Sequence, residues 1–152
     1  MPKLKYAIVI PAKNEEENLA DTLESVANQS IQPEICLVVD DGSDDNTYAI
    51  TQEFAEKYPF IQCIQREDKG SYLLGGHVVS VFELGRNYLD SIQLHYDYVV
   101  KLDADLSFER DHVEKIFAKI TDGKWGVVSG TPFRLEGDKK IYEYSPEWHS
   151  QG

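Results

Sequence analysis

The chain has 152 residues, a formal net charge of −12 and 41% hydrophobic residues, which suits one well-buried core and is too short for two ordinary domains. So acidic a balance excludes nucleic acid as a partner, because no basic stripe is present to displace counterions from phosphates. The sequence carries no repeat and no low-complexity stretch. Its N-terminus runs into about five apolar residues, far short of the ~20 that cross a bilayer. The expected location is therefore cytoplasmic, with any membrane association carried by residues outside this chain. Cys36 and Cys63 lie in apolar, strand-like runs, where a thiol packs as a small hydrophobe.

Tyr6 to Ile10 is nearly continuous in apolar residues, the signature of a strand covered on both faces, and Pro11 is expected to end it. Asn14 offers an N-cap and Glu17 completes a capping box, predicting a helix from Glu15 to Asn28 with Leu19, Leu23, Val26 and Ala27 on its apolar stripe. Ile35 to Val39 is a second strand that stops at Asp40. Gly42 and Ser43 then turn into a helix with Ile50 and Phe54 on one face. Phe60 to Ile64 is a weaker third strand. A loop over Gly70–Gly76 leads to a helix bearing Val78, Phe82, Leu89 and Ile92. Tyr98 to Leu102 is the fourth strand, followed by a helix with Val113, Ile116, Phe117 and Ile120, and Trp125 to Ser129 is the fifth.

Strands alternating with helices imply right-handed crossovers and an α/β fold with a mostly parallel central sheet, helices lying on both faces. Its strands all point one way, so Pro11, Asp40 and Asp103 converge on one rim, where such sheets bind ligands. Residues 6–130 form the core of one expected domain spanning 1–152. After Gly130 the pattern weakens to an extended piece, a turn at Gly137-Asp138 and a short strand over Ile141–Tyr144. The last residues have no natural stop, as if the chain were cut from a longer one.

Asp103 and Asp105 are two residues apart at a strand end, and such a D-x-D pair can share a hard cation, Mg2+ or Mn2+, whose other ligands would be phosphate oxygens and water. Asp40 and Asp41, at the tip of the second strand, can accept a hydrogen bond from a base N–H or from ribose hydroxyls. Asp44 and Asp45 read as helix-starting residues. An EF-hand is excluded because Leu37 and Val39 occupy the positions where acidic ligands would precede Gly42. The histidines, His77 and His149 in loop-like sequence and His95 and His112 near helices, show no metal spacing.

Ile8-Val9-Ile10-Pro11-Ala12-Lys13-Asn14-Glu15-Glu16, Val38-Val39-Asp40-Asp41-Gly42-Ser43-Asp44-Asp45 and Lys101-Leu102-Asp103-Ala104-Asp105-Leu106 resemble the three successive signatures of family 2 glycosyltransferases. The resemblance covers about Tyr6 to Gly130. It implies the GT-A fold, a Rossmann-like nucleotide-diphospho-sugar transferase architecture. It also implies inverting transfer of a sugar from a metal-bound nucleoside diphosphate sugar to an acceptor hydroxyl on a saccharide or a lipid-linked molecule. Carried over by position, Pro11, Ala12, Lys13 and Glu15 would line the nucleotide pocket, Asp41 would bind the base and Asp40 would support it. Asp103 and Ala104 would lie by the ribose and diphosphate, and Asp105, with Asp103, would hold Mg2+ or Mn2+. Lys69 is a candidate diphosphate contact, and Ser107 stands where some members place a further polar ligand.

Two features depart from the family. Gly75-Gly76-His77-Val78 and Glu83-Leu84-Gly85-Arg86-Asn87 match its phosphate-side pattern only loosely. Its general base, an Asp in an acidic motif downstream of the D-x-D, has no counterpart before Gly152; Glu143 and Glu147 have the wrong surroundings. The base is thus expected beyond Gly152, with residues 131–152 beginning an incomplete acceptor side. The alternative is a non-catalytic nucleotide-sugar-binding or regulatory module. A nucleotidyltransferase would need a Gly-rich loop after the first strand, and a phosphoacceptor domain an acidic pair there. Pro11-Ala12-Lys13-Asn14 provides neither.

Overall fold

The computed structural model describes residues 4–66, 76–120 and 133–142. Strand and helix alternate as β1 (Tyr6–Ala12), α1 (Leu19–Ala27), β2 (Ile35–Asp40), α2 (Thr47–Lys57), β3 (Ile61–Gln65), α3 (Gly76–Ser91), β4 (Tyr98–Lys101) and α4 (His112–Ile120), followed by β5 (Phe133–Glu136) and β6 (Lys139–Tyr142). The chain divides into two compact units, Met1–Val113 and Glu114–Gly152. The expected fifth strand, Trp125–Ser129, lies outside the described residues.

In the first unit β1 to β4 form a four-stranded sheet of order β3-β2-β1-β4, and every pairing is parallel. Right-handed crossovers carry β1 to β2 and β2 to β3 in one direction, so α1 and α2 share a face; the step from β3 back to β4 reverses direction and sets α3 on the other. Strand periodicity divides the core accordingly. Ala7, Val9, Ile35, Leu37 and Val39 pack with Val81 and Leu89 of α3, while Ile8, Ile10, Cys36 and Val38, also buried, face the other way. Each buried Val, Leu or Ile among them contributes about 1.5–3 kcal/mol through burial. On α1, Leu19, Leu23 and Val26 are fully buried, the stripe that the sequence predicts.

α3 sits so low on the sheet that it needs a glycine at its contact. A Cβ on Gly85 would fall 2.5 Å from Val9 Cγ1 and 2.9 Å from Val39 Cγ2, well inside van der Waals contact.

Several local expectations are corrected. Pro11 does not end the first strand. Even-numbered residues of β1 bond towards β2, as when the Glu34 N–H donates to the Tyr6 carbonyl and the Asp41 N–H to that of Ala12. Odd-numbered ones face β4, as when the Leu102 N–H donates to the Val9 carbonyl. The β4 register ends at Val9–Lys101, so Pro11 turns its missing donor to a side that no longer has a strand to serve. Asn14 is not a helix cap: its φ of 53° is left-handed, a conformation Asn tolerates better than most residues. α1 starts at Leu19, not Glu15. The fully buried residues of α2 are Thr47 and Thr51 rather than Ile50 and Phe54. The Thr51 hydroxyl donates to the Thr47 carbonyl at 3.0 Å, and Phe54 stacks on Tyr58 instead. His77, read as loop, lies in the first turn of α3.

Both cysteines are free. Burial pushes the Cys36 thiol up to about 12; burial, then the nearby charge of Asp40, pushes Cys63 up to about 11. These are packing residues with little thiolate character. In the second unit β5 and β6 form an antiparallel hairpin around Gly137-Asp138. Of these two only Gly137 has a positive φ, 62°, the pattern of a type II′ turn that requires glycine first. Among the described residues no helix is long and apolar enough to cross a membrane.

Candidate functional site

Strand order reverses between β1 and β4, since the chain leaves β1 for β2 on one side and returns to β4 on the other. At the C-terminal rim beside this reversal the first unit has a pocket of about 310 Å3 lined by Pro11, Ala12, Lys13, Glu15, Asp41, Val81, Asp103, Ala104 and Asp105. A cleft of that size suits a small organic ligand. The end of β1, the tip of β2 and the loop after β4 thereby bring together every residue singled out in the sequence for the nucleotide and metal, except Asp40, Lys69 and Ser107. Lys69 lies outside the described residues.

Asp40 is fully buried beneath the site. Its Oδ1 accepts the Ser43 N–H at 3.0 Å and its Oδ2 the Gln65 Nε2 at 2.9 Å. Both oxygens are thus engaged by the chain, and what the carboxylate does is fix the turn after β2, where Gly42 adopts a φ of 72°. Asp41 is 3% exposed and lies 3.4 Å from the Arg66 guanidinium. That cation offsets the cost of holding a carboxylate out of bulk water. Arg66 itself is fixed by its N–H to the Asp40 carbonyl at 2.7 Å.

The D-x-D loop is anchored from below. Ala104 is buried, and its carbonyl accepts the hydroxyl of buried Thr22, on α1, at 2.7 Å. Asp103 and Asp105 flank this anchor and are exposed; Lys101 pairs with Asp103. Ser107 is exposed on the segment beyond. Further along, the Gln29 side chain donates to the Glu109 carbonyl at 2.8 Å and accepts the Val113 N–H at 3.1 Å, satisfying an otherwise orphaned donor at the start of α4. Replacing Thr22 by valine should cost about 1–3 kcal/mol, because it leaves the Ala104 carbonyl buried without that donor. Denaturant unfolding with an unchanged m-value measures this.

Residues 14–16 and 43–47 are laced together. The N–H groups of Asn14, Glu15 and Glu16 donate to Ser43 Oγ at 3.0 Å, Thr47 Oγ1 at 2.8 Å and Asp45 Oδ2 at 3.1 Å. In return the Asp44 N–H donates to Asn14 Oδ1 at 3.0 Å, and Asn46 donates its N–H and Nδ2 to Glu16 Oε2 at 3.0 and 2.8 Å. Asp45 therefore does more than start α2, although its Oδ1 does accept the Thr47 N–H at 2.9 Å. The slight burial of its carboxyl acts to raise the pKa, but hydrogen bonds from the Thr47 hydroxyl and from backbone N–H groups, Glu16 among them, outweigh that and hold it below the ordinary value. A depressed carboxylate contributes stability above its unfolded pKa of ~3.9, and this is lost as pH falls through the folded value. The Glu16 amide resonance should accordingly titrate with a midpoint below ~3.9.

Thr22, Gln65, Arg66 and Val81 are the site residues that sequence reasoning missed. Arg66 left a usable signal, a cation just past a strand tip on an acidic rim. The others leave none, because a Thr or Val on a helix looks like any core residue.

Four carboxylates and one ammonium line the pocket, so it repels a free diphosphate unless a cation accompanies it. Among the described residues no three His, Cys, Asp or Glu side chains could hold a metal by themselves. Two acidic oxygen donors with room for phosphate and water fit Mg2+ or Mn2+, which seldom occupy all-protein cages.

Residues 7–73 match the model described as glycosyl transferase family 2. A dolichol-phosphate mannosyltransferase of Pyrococcus furiosus is 30% identical over 142 residues, 86% of this chain and 37% of that protein. The chain spans between 32% and 49% of the length of three curated relatives that it matches at 30–31% identity. Residues 1–349 of S. aureus TarS, solved in complex with UDP, superpose with a TM-score of 0.61 at 21% identity, covering 78% of this chain and 32% of that one. The mannosyltransferase PcManGT of Pyrobaculum calidifontis, solved with GDP-Man and Mn2+, gives 0.53 at 22% identity over 72% and 30%. These solved chains share the GT-A fold with this one. With the three motifs meeting at one rim of that fold, the chain is similar to glycosyl transferase family 2, whose model its residues 7–73 match.

Proposed function

We propose that this chain carries the donor side of an inverting glycosyltransferase, binding a nucleoside diphosphate sugar together with Mg2+ or Mn2+. The observation that carries the reading is the convergence of Lys13, Glu15, Asp41, Asp103 and Asp105, from three distant segments, on one pocket at the switch point. The ligands of the two solved neighbours, UDP in one and GDP-Man with Mn2+ in the other, support it.

In this reading Asp41, steadied by Arg66, accepts a hydrogen bond from the base. Pro11, Ala12 and Val81 give the nucleotide an apolar wall, and Lys13 and Glu15 border it. Asp40 supports the base site through the turn it fixes. Asp103 and the Ala104 backbone lie by the ribose and diphosphate, and Asp105, with Asp103, holds the cation. Lys69 is a further diphosphate contact. A cation bound there supplies Lewis-acid stabilisation of the charge on the leaving diphosphate. Inversion requires an acceptor hydroxyl, of a saccharide or a lipid-linked molecule, to attack the anomeric carbon opposite the departing diphosphate. The deprotonating base would come from the acceptor side, and no described residue is assigned that role. The chemistry would take place in the cytoplasm or at the cytoplasmic face of a membrane.

Calorimetric titration with UDP and GDP, with and without Mn2+, tests the reading. Micromolar to millimolar binding that strengthens with Mn2+ is the expected result, and no binding of either nucleotide under both conditions overturns it. Release of nucleoside diphosphate from a bound donor then separates a transferase from a binding module.

A further inference from the structure

We infer that Ser43 and Asp45, which do not line the pocket, are positioning residues that set nucleotide affinity by clasping the Lys13–Glu16 segment against the turn bearing Asp41. This rests on the donor-site reading above.

Chain direction changes sharply just beyond Lys13, at left-handed Asn14. Such a conformation is disfavoured for a non-glycine residue and persists only where surroundings hold it. Here the surroundings are the second motif. Ser43, Thr47 and Asp45 take the N–H groups of three consecutive residues, Asn14, Glu15 and Glu16, while Asn14 and Glu16 side chains take N–H groups of Asp44 and Asn46. Lys13 and Glu15 bracket Asn14 and both line the pocket, as does Asp41 two residues before Ser43. The clasp thus joins the two strand-end loops on which the nucleotide-facing residues sit, and it couples their spacing.

It also has a consequence for where phosphate binds. N–H groups ahead of a helix ordinarily form an anion site. Here the Asp45 carboxylate already occupies that of Glu16, acting as a built-in anion. A diphosphate is therefore steered away from the start of α1 and towards the side of the pocket formed by Asp103–Asp105.

Each hydrogen bond of the clasp is worth a modest amount. Asp45→Ala, which removes one acceptor of the clasp and the one that holds the Thr47 N–H behind it, should weaken binding about three- to tenfold, and Ser43→Ala about two- to fivefold. The test measures UDP and GDP affinity with Mn2+ for wild type, Ser43→Ala and Asp45→Ala, each below its unfolding transition. The same substitutions are then made in a Lys13→Met, Glu15→Gln background. A positioning role requires non-additivity: in that background each substitution should cost less than twofold. Full additivity would mean that the clasp merely stabilises the fold, and it overturns the inference. So does wild-type affinity in Ser43→Ala, which loses a single exposed hydrogen bond and should fold even if Asp45→Ala does not. If wild type binds neither nucleotide, the donor-site reading fails and this inference fails with it.

Discussion

Replacing Asp105 by alanine should weaken Mn2+-dependent binding of a nucleoside diphosphate by at least about tenfold while leaving the fold intact. Asp105 is exposed, whereas Ala104 beside it is buried and tied to Thr22, so the loop keeps its anchor when the carboxylate goes. The sign in the absence of metal is the sharper part of the expectation. With four carboxylates around one lysine, removing a negative charge relieves repulsion of the diphosphate. Metal-free binding by Asp105→Ala should therefore equal or exceed that of wild type, so that the variant loses affinity only when Mn2+ is present. Calorimetry at matched ionic strength separates the two effects. An equal loss with and without metal would assign Asp105 to direct contact with the nucleotide instead.

Gly85→Ala should destabilise the chain by about 2 kcal/mol even though alanine is the better helix former by about 1 kcal/mol. The new methyl would meet Val9 and Val39, both wholly buried on the central strands, and neither can yield without moving the sheet. α3 must lift. Val81, one turn earlier on the same helix, is a wall of the pocket, so nucleotide affinity should fall in the same variant. Thermal unfolding would shift down by about 4–8 °C. A variant as stable as wild type would mean that α3 does not ride on these two valines.

The sheet and the rim were legible in the sequence because both depend on patterns that survive any context: buried parallel strands read as unbroken apolar runs, and alternation with helices brings their acidic ends together. The strand-end motifs could likewise be placed before any contact was known. What failed was local grammar overruled by tertiary partners. Asn14 and Glu17 spell a capping box, but the N–H groups it would serve are taken by Ser43, Thr47 and Asp45, some thirty residues away. Pro11 spells a strand end, yet a missing donor matters only where a neighbouring strand needs it, and β4 stops short. Thr22 and Gln29 gave no signal, because their work is to accept or donate across more than eighty residues of sequence.

The central claim is that these separated acidic motifs form one metal-assisted nucleotide site. Paramagnetic broadening of backbone amide resonances tests it most directly, with Mn2+ added at trace levels in the presence of UDP or GDP. Broadening should centre on Lys13, Asp41 and Ala104 and spare Lys5, Glu34 and Asp97 at the opposite end of the sheet. Broadening centred elsewhere, or equally strong at both ends, would contradict the account.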